Sequence, residues 1–315
     1  MSIQDFEKNL YITYLDETRA YTYPNTDMLI MASLTCQKAK YINILEKEWN
    51  NIRKKYNVPD GVYLHATGIK ALLNPKYLTF KDKKRDFDLE KIFFKNGELD
   101  KELIYNFYVD VMNVIDKCDF DIVITSYRID KNKQFEKDLS KKYCNTNWYI
   151  LFREHLDNLA YFAMNKYIDK KKCSVRFQTK LRYDGDQNLS SRDNIRDAFS
   201  HSITAGTKRF DAKLIRHVFD ELRFINKSEV GKCTNCNTEC DNKLISHAGS
   251  EIIDFIALYA GKYCNKERMI NDHIENFPQK TKEHAEKVYN NSVTINIGDK
   301  KIEPLNFIKN KIFIA

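Results

Sequence analysis

The run Leu10-Tyr11-Ile12-Thr13-Tyr14-Leu15 is short, apolar and rich in β-branched and aromatic side chains, and the charged pair Asp16-Glu17 cuts it off. That pattern reads as a buried strand with a carboxylate emerging at its carboxyl end. After a turn-rich stretch containing Pro24-Asn25, Met28 to Thr35 reads as a second strand. Between Gln37 and Tyr56 the apolar positions Tyr41, Leu45, Trp49, Ile52 and Tyr56 step by threes and fours, one stripe of a helix. Pro59-Asp60-Gly61 is a turn signal, and Val62-Tyr63-Leu64-His65 resumes a brief extended segment.

Further along, residues 74–98 are Lys/Asp-rich and irregular, as expected of an insertion or mobile loop. Leu103, Ile104, Phe107, Val111, Val114 and Ile115 mark a helix, Phe120 to Tyr127 a strand, and Trp148 to Tyr167 a long aromatic helix. Ser174 to Tyr183 reads as a strand running into Asp184-Gly185-Asp186, Asn188 to Ser202 as a helix, and Leu222 to Ile225 as a short strand. A cysteine-rich loop at 229–247 precedes a helix from Gly249 to Tyr263. A C-terminal extension, 265–315, adds a helix near Thr281 to Tyr289 and two or three short strands. Two strands and a helix followed by alternating strands and helices predict an α/β fold, a mixed central sheet with helices on both faces. One domain spanning 1–315 fits better than two.

The 315 residues, 43% hydrophobic and 13% aromatic, suffice for a large buried core. Lys and Arg outnumber Asp and Glu by 52 to 44, a formal charge of +8 that favours a polyanionic partner such as nucleic acid, although a Lys-rich composition also follows from an AT-rich genome. No apolar run approaches the roughly 20 residues that span a bilayer, so no membrane partner is expected. The polar, acidic start, Met1 to Asn9, does not read as a signal peptide, and a cytoplasmic protein is expected. In that compartment the eight cysteines are expected reduced or metal-bound.

Three carboxylates stand where regular elements place functional groups. Asp16 and Asp184 each follow a strand, and Asp254 lies inside the apolar helix run Ile252-Ile253-Asp254-Phe255-Ile256, with Glu251 one turn earlier. An ionised carboxylate on so apolar a face needs a partner or a metal. Each taken singly is also explained as a turn residue, a cap or an ion-pair partner, and Asp186 competes with Asp184 for the second position.

Tyr14-Leu15-Asp16-Glu17-Thr18 resembles the Tyr-Ile-Asp-Glu-Ser signature that opens the family catalogued as domain of unknown function 3800. Leu64-His65-Ala66-Thr67 is similar to that family's Leu-His-(small)-Ser/Thr segment. Arg182-Tyr183-Asp184-Gly185, with Asp193 and Phe199 after it, is similar to its acidic strand end and following helix. Gly249-Ser250-Glu251-Ile252-Ile253-Asp254-Phe255-Ile256-Ala257 is similar to its Gly-Leu-Gln-Leu-Ala-Asp-Leu-Ile-Ala helix. The four motifs keep the family's order and span residues 10–264. Thr18, Arg19, Ser250, Glu251 and Ile253 depart from the usual pattern, and the family often has Glu at the position of Asp184.

The resemblance implies a ribonuclease H-like fold and a site made of Asp16, Asp184 and Asp254 with His65 nearby. Hydrolysing a phosphodiester needs an activated water and stabilisation of the leaving oxygen, which two Mg²⁺ or Mn²⁺ ions about 3.5–4 Å apart can supply. Asp16 would bridge the ions, and Asp184 and Asp254 would each hold one. Glu17 or Glu251 would bind outer-shell water, and His65 would shuttle a proton or contact phosphate unless it is simply a packed histidine. The expected function is a metal-dependent nuclease acting on DNA or RNA. The alternatives are a non-catalytic nucleic-acid or protein-binding module and a small-nucleotide phosphodiesterase.

Cys233, Cys236 and Cys240, with His247 seven residues later, have spacing compatible with one structural Zn²⁺. An unmetallated surface loop is the competing reading, because a second Cys-x-x-Cys is missing. The basic runs Lys170-Lys171-Lys172, Lys81-Asp82-Lys83-Lys84-Arg85 and Lys208-Arg209 would suit nucleic-acid backbone contacts or, more plainly, solvated faces.

Overall fold

Six strands make the central sheet: β1 (Leu10–Thr22), β2 (Thr26–Gln37), β3 (Asp121–Asp130), β4 (Gln178–Asp184), β5 (Phe219–Phe224) and β6 (Ile312–Ile314). Their order across the sheet is β6-β3-β2-β1-β4-β5. Only β2 runs against its neighbours, and the β1–β4, β4–β5 and β3–β6 pairs are parallel. This computed structural model describes residues 10–22, 26–80, 85–130, 146–169, 174–184, 189–225, 246–259, 294–308 and 311–314.

Alternation along the strands divides the core in two. Tyr14, Ile30, Ala32, Leu34, Ile122 and Ile124 face one layer of helices: α1 (Glu46–Lys55), α2 (Ala66–Leu72), α3 (Phe87–Phe93), α4 (Lys101–Lys117) and the late helix α8, residues 248–259. Leu15, Leu29, Met31, Val123, Leu181 and Tyr183 face the other layer: α5 (Thr146–Tyr167), α6 (Leu189–Ala205) and α7 (Ala212–Val218). On this second side the hydroxyl of Thr13 bonds to Thr35 at 2.9 Å and to Thr179 at 2.8 Å, tying three strands through a buried polar row.

Three expectations change. Asp16 does not end β1, which continues to Thr22 as a ribbon with β2 (Thr22 faces Thr26). The described parallel pairing with β4 runs as far as Asp16, which faces Asp184. The described residues of 74–98 are not irregular: they carry α3 and a tight hairpin at Phe94–Lys95 and Glu98–Leu99, and Leu89 and Phe93 are fully buried. The Asp86 carboxylate caps α3 by accepting from the Asp88 and Leu89 amides, a start signal that the surrounding lysines obscure. The helix α7, capped by Asp211, adds an element where the sequence pattern shows none. The helix expected near 281–289 lies outside the described residues.

The placement of α8 depends on one missing side chain. A Cβ built on Gly249 would lie 2.1 Å from the Tyr14 ring, which is buried and hydrogen-bonded through its hydroxyl to Tyr41 at 2.9 Å. Neither ring can yield, because the Tyr41 hydroxyl in turn contacts Ser246 at 3.1 Å and accepts from the Gly249 amide at 3.2 Å. Only glycine therefore lets α8 lie directly on β1. Gly249→Ala is expected to lower the unfolding free energy by at least about 1–3 kcal/mol, the usual cost of overpacking, measured by urea denaturation.

Candidate functional site

Asp16 and Asp184 are Cα partners on adjacent parallel strands, and both side chains follow the alternation of Tyr14 and Arg182 onto the α8 side of the sheet. Neighbouring strands run about 4.8 Å apart, so the two carboxylates leave the sheet side by side. Both are buried, at 7% and 1% exposure. Like charges this close and this dry favour a cation or a hydrogen-bond donor between them and water. The Glu17 amide donates to Asp16 Oδ1 at 2.8 Å. The Glu17 side chain goes to the opposite face, where it hydrogen-bonds the Tyr183 hydroxyl. Burial, then the charge of Glu17, then those of Asp16 and Asp184 push the Tyr183 phenol well above its ordinary range.

The third carboxylate comes from α8. Asp254 Oδ2 accepts from the Ala66 amide at 2.7 Å and lies 3.6 Å from His65 Nδ1. His65 stands at the N-cap of α2 in extended conformation, with its side chain 37% exposed. Two residues earlier on the same extended run, Tyr63 donates its hydroxyl to Asp184 Oδ2 at 2.6 Å. Its ring rests against His65 with centroids 4.5 Å apart. Burial, followed by the negative charges of Asp184 and Asp254, raises the Tyr63 phenol well above its usual range. One hydroxyl thus feels both carboxylates, the sheet-borne and the helix-borne.

Glu251 has a different part from the water-holding one expected. It is fully buried, and chain donors take up both its oxygens. Trp49 Nε1 donates to Oε2 at 2.6 Å, while Arg53 Nη1, at 2.6 Å, and the Leu64 amide, at 2.8 Å, donate to Oε1. Arg53 then reaches the carbonyls of Pro59 and Val62 through Nη2, at 2.7 and 2.8 Å. Glu251 and Asp254 therefore grip the same segment, 62–66, at the amides of Leu64 and Ala66, and that segment carries Tyr63 to Asp184 and His65 to Asp254.

The donor set has the chemistry of a hard divalent cation, which prefers carboxylate oxygens and retains several waters. Asp16 and Asp184 supply such a pair. Among the described residues, however, no group of three or more His, Cys, Asp or Glu side chains is arranged to hold a metal ion. Asp254 stands beside the pair, within the electrostatic reach of Tyr63, and its Oδ2 accepts from the Ala66 amide. Asp186, Cys233, Cys236 and Cys240 lie outside the described residues. His247 is buried at the start of α8 with Nδ1 3.3 Å from Glu251 Oε1, so its ring is turned toward the core carboxylate. Of the basic runs, Arg85 is paired with Glu90 at 2.5 Å and Arg209 with Asp157 at 2.6 Å.

Tyr63 is the site residue that sequence reading missed. Its signal was the extended run itself: residues two apart on such a run point the same way, so Tyr63 accompanies His65. Compared with known proteins, the chain matches no family model and no curated protein. No helix among the described residues is long and apolar enough to cross a membrane.

The Arg53–Glu251 pair is 4% and 0% exposed at its two side chains, so removing either member strands a buried charge. Glu251→Gln is expected to cost about 3–5 kcal/mol in urea unfolding. In Arg53→Met/Glu251→Gln the loss should be smaller than the sum of the two single losses, since no charge is then left without its partner.

Proposed function

We propose that this chain is a ribonuclease H-like, divalent-metal-dependent nuclease that cleaves phosphodiester bonds in DNA or RNA. The observation that carries this reading is the register of Asp16 opposite Asp184, two buried carboxylates on adjoining parallel strands beneath the helix that bears Asp254. The mixed sheet, with one strand reversed and the acidic pair on two adjacent parallel strands, supports the reading. So do the resemblance to the domain of unknown function 3800 family and the net charge of +8, which suits a polyanion.

Asp16 and Asp184 would hold Mg²⁺ or Mn²⁺, with Asp254 as the helix-borne contributor. When bound, such a cation supplies Lewis-acid activation of the phosphodiester. The chain's own groups do the rest. His65, partly exposed beside Asp254, is placed to pass a proton at the rim of the site, and the Asp254 carboxylate orients its ring. Tyr63 holds one oxygen of Asp184 through its hydroxyl.

A second reading, a non-catalytic nucleic-acid or protein-binding module on this scaffold, draws on one observation. Among the described residues no three-ligand cluster is already assembled. The two readings separate in a cleavage assay on single- and double-stranded DNA and RNA with Mg²⁺ or Mn²⁺. Asp16→Asn and Asp184→Asn should each lower cleavage by more than roughly 100-fold with circular dichroism unchanged, given that even outer-shell changes at metal sites cost about 10–100-fold. Salt-sensitive binding without turnover in the parent protein would favour the second reading, and undiminished cleavage in both variants would overturn the assignment of the Asp16–Asp184 pair.

A further inference from the structure

The strap at residues 62–66 gives one hydrogen bond to each of two carboxylates that arrive from different elements. Tyr63 Oη donates to Asp184 Oδ2 at 2.6 Å, and the Ala66 amide donates to Asp254 Oδ2 at 2.7 Å. The strap has little freedom of its own. Its Leu64 side chain is fully buried, its Leu64 amide donates to Glu251 at 2.8 Å, and Arg53 fastens the Val62 carbonyl at 2.8 Å. The Tyr63 hydroxyl is therefore delivered to Asp184 by a segment that is anchored on both sides.

We infer that Tyr63 is a positioning residue for the acidic pair: its hydroxyl fixes the rotation of the Asp184 carboxylate beside Asp16 and thereby sets the affinity of the pair for a divalent cation. The inference rests on the reading of Asp16 and Asp184 as cation ligands. Ligands at metal sites are oriented by outer donors of this kind, and losing one costs about 10–100-fold in metal affinity. A carboxylate tied at one oxygen by a short, charge-assisted bond no longer samples the rotations that a cation would otherwise have to suppress. The bond comes from a side chain and not from a backbone amide, so it can be removed without breaking the strap. Phenylalanine at 63 keeps the ring that packs on His65.

The experiment is a Mn²⁺ titration of the full chain, read by calorimetry and by the paramagnetic resonance signal of unbound Mn²⁺. The proteins compared are the parent, Asp184→Asn, Tyr63→Phe and, as a second hydroxyl-free variant, Tyr63→Leu, each also followed through thermal unfolding. The expected result is Mn²⁺ binding by the parent, its loss in Asp184→Asn, and about 10–100-fold weaker binding in Tyr63→Phe with its unfolding midpoint held. Tyr63→Leu should weaken binding at least as much. Parent-like affinity in Tyr63→Phe overturns the inference while leaving the acidic pair intact. Tighter binding overturns it in favour of a hydroxyl that competes with the cation. If Asp184→Asn binds Mn²⁺ as the parent does, or the parent binds none, the cation reading itself fails and this inference falls with it.

Discussion

A buried ion pair far from solvent governs how the site is assembled. Arg53 of α1 and Glu251 of α8 meet at 2.6 Å with almost no exposure, and between them they claim Trp49, the Leu64 amide and the carbonyls of Pro59 and Val62. Such a pair seldom stabilises a fold by itself, because stripping water from two charges offsets most of their attraction. Its consequence here is geometric. The carboxylate and guanidinium together offer more hydrogen bonds than they use on each other, and the surplus fixes the segment 62–66 that reaches from α8 to Asp184. With α8 seated on β1 through Gly249, the orientations of Asp254, His65 and Tyr63 follow.

The sheet contributes the other half. Parallel pairing of β1 with β4 puts Asp16 opposite Asp184, while the same alternation that aims them toward α8 sends Glu17 and Tyr183 to the far side. A one-residue slip of β4 would put Tyr183, or the residue after Asp184, opposite Asp16. The threonine row Thr35-Thr13-Thr179 resists that slip, since its hydroxyl bonds are made only in the observed register. Strand register, a polar row on one face and an acidic pair on the other are thus one constraint expressed three ways.

Much of this was legible in the sequence, and what was not has physical causes. The strands at Leu10 and Phe120 and the helices containing Phe107 and Trp148 announce themselves by period and composition, and their burial follows. Asp16 could be picked out because it follows directly on an apolar strand run, and Asp254 because a carboxylate inside an apolar helix needs an explanation. The helix α3 hid because exposed lysines dilute its stripe, although Asp86 followed by Leu89 and Phe93 carries both the cap and the buried face. The roles of Glu251 and Asp254 could not be told apart by residue type. One turn separates them, and only the arrival of Trp49 and Arg53 makes Glu251 a scaffold and leaves Asp254 facing the strap. Tyr63 shows the same limit, since a tyrosine in a short extended run says nothing of the aspartate more than a hundred residues away that it meets.

The central claim is that the side-by-side carboxylates of β1 and β4 form a divalent-cation site. It is tested most directly by diffraction from crystals of the full chain soaked in Mn²⁺, with data collected to record the anomalous signal of manganese. The account predicts an anomalous peak on the α8 side of the sheet within coordination distance of both Asp16 and Asp184, which for oxygen ligands is about 2.0–2.6 Å. Manganese bound elsewhere, or no peak between these two carboxylates in crystals that remain ordered after soaking, would contradict it.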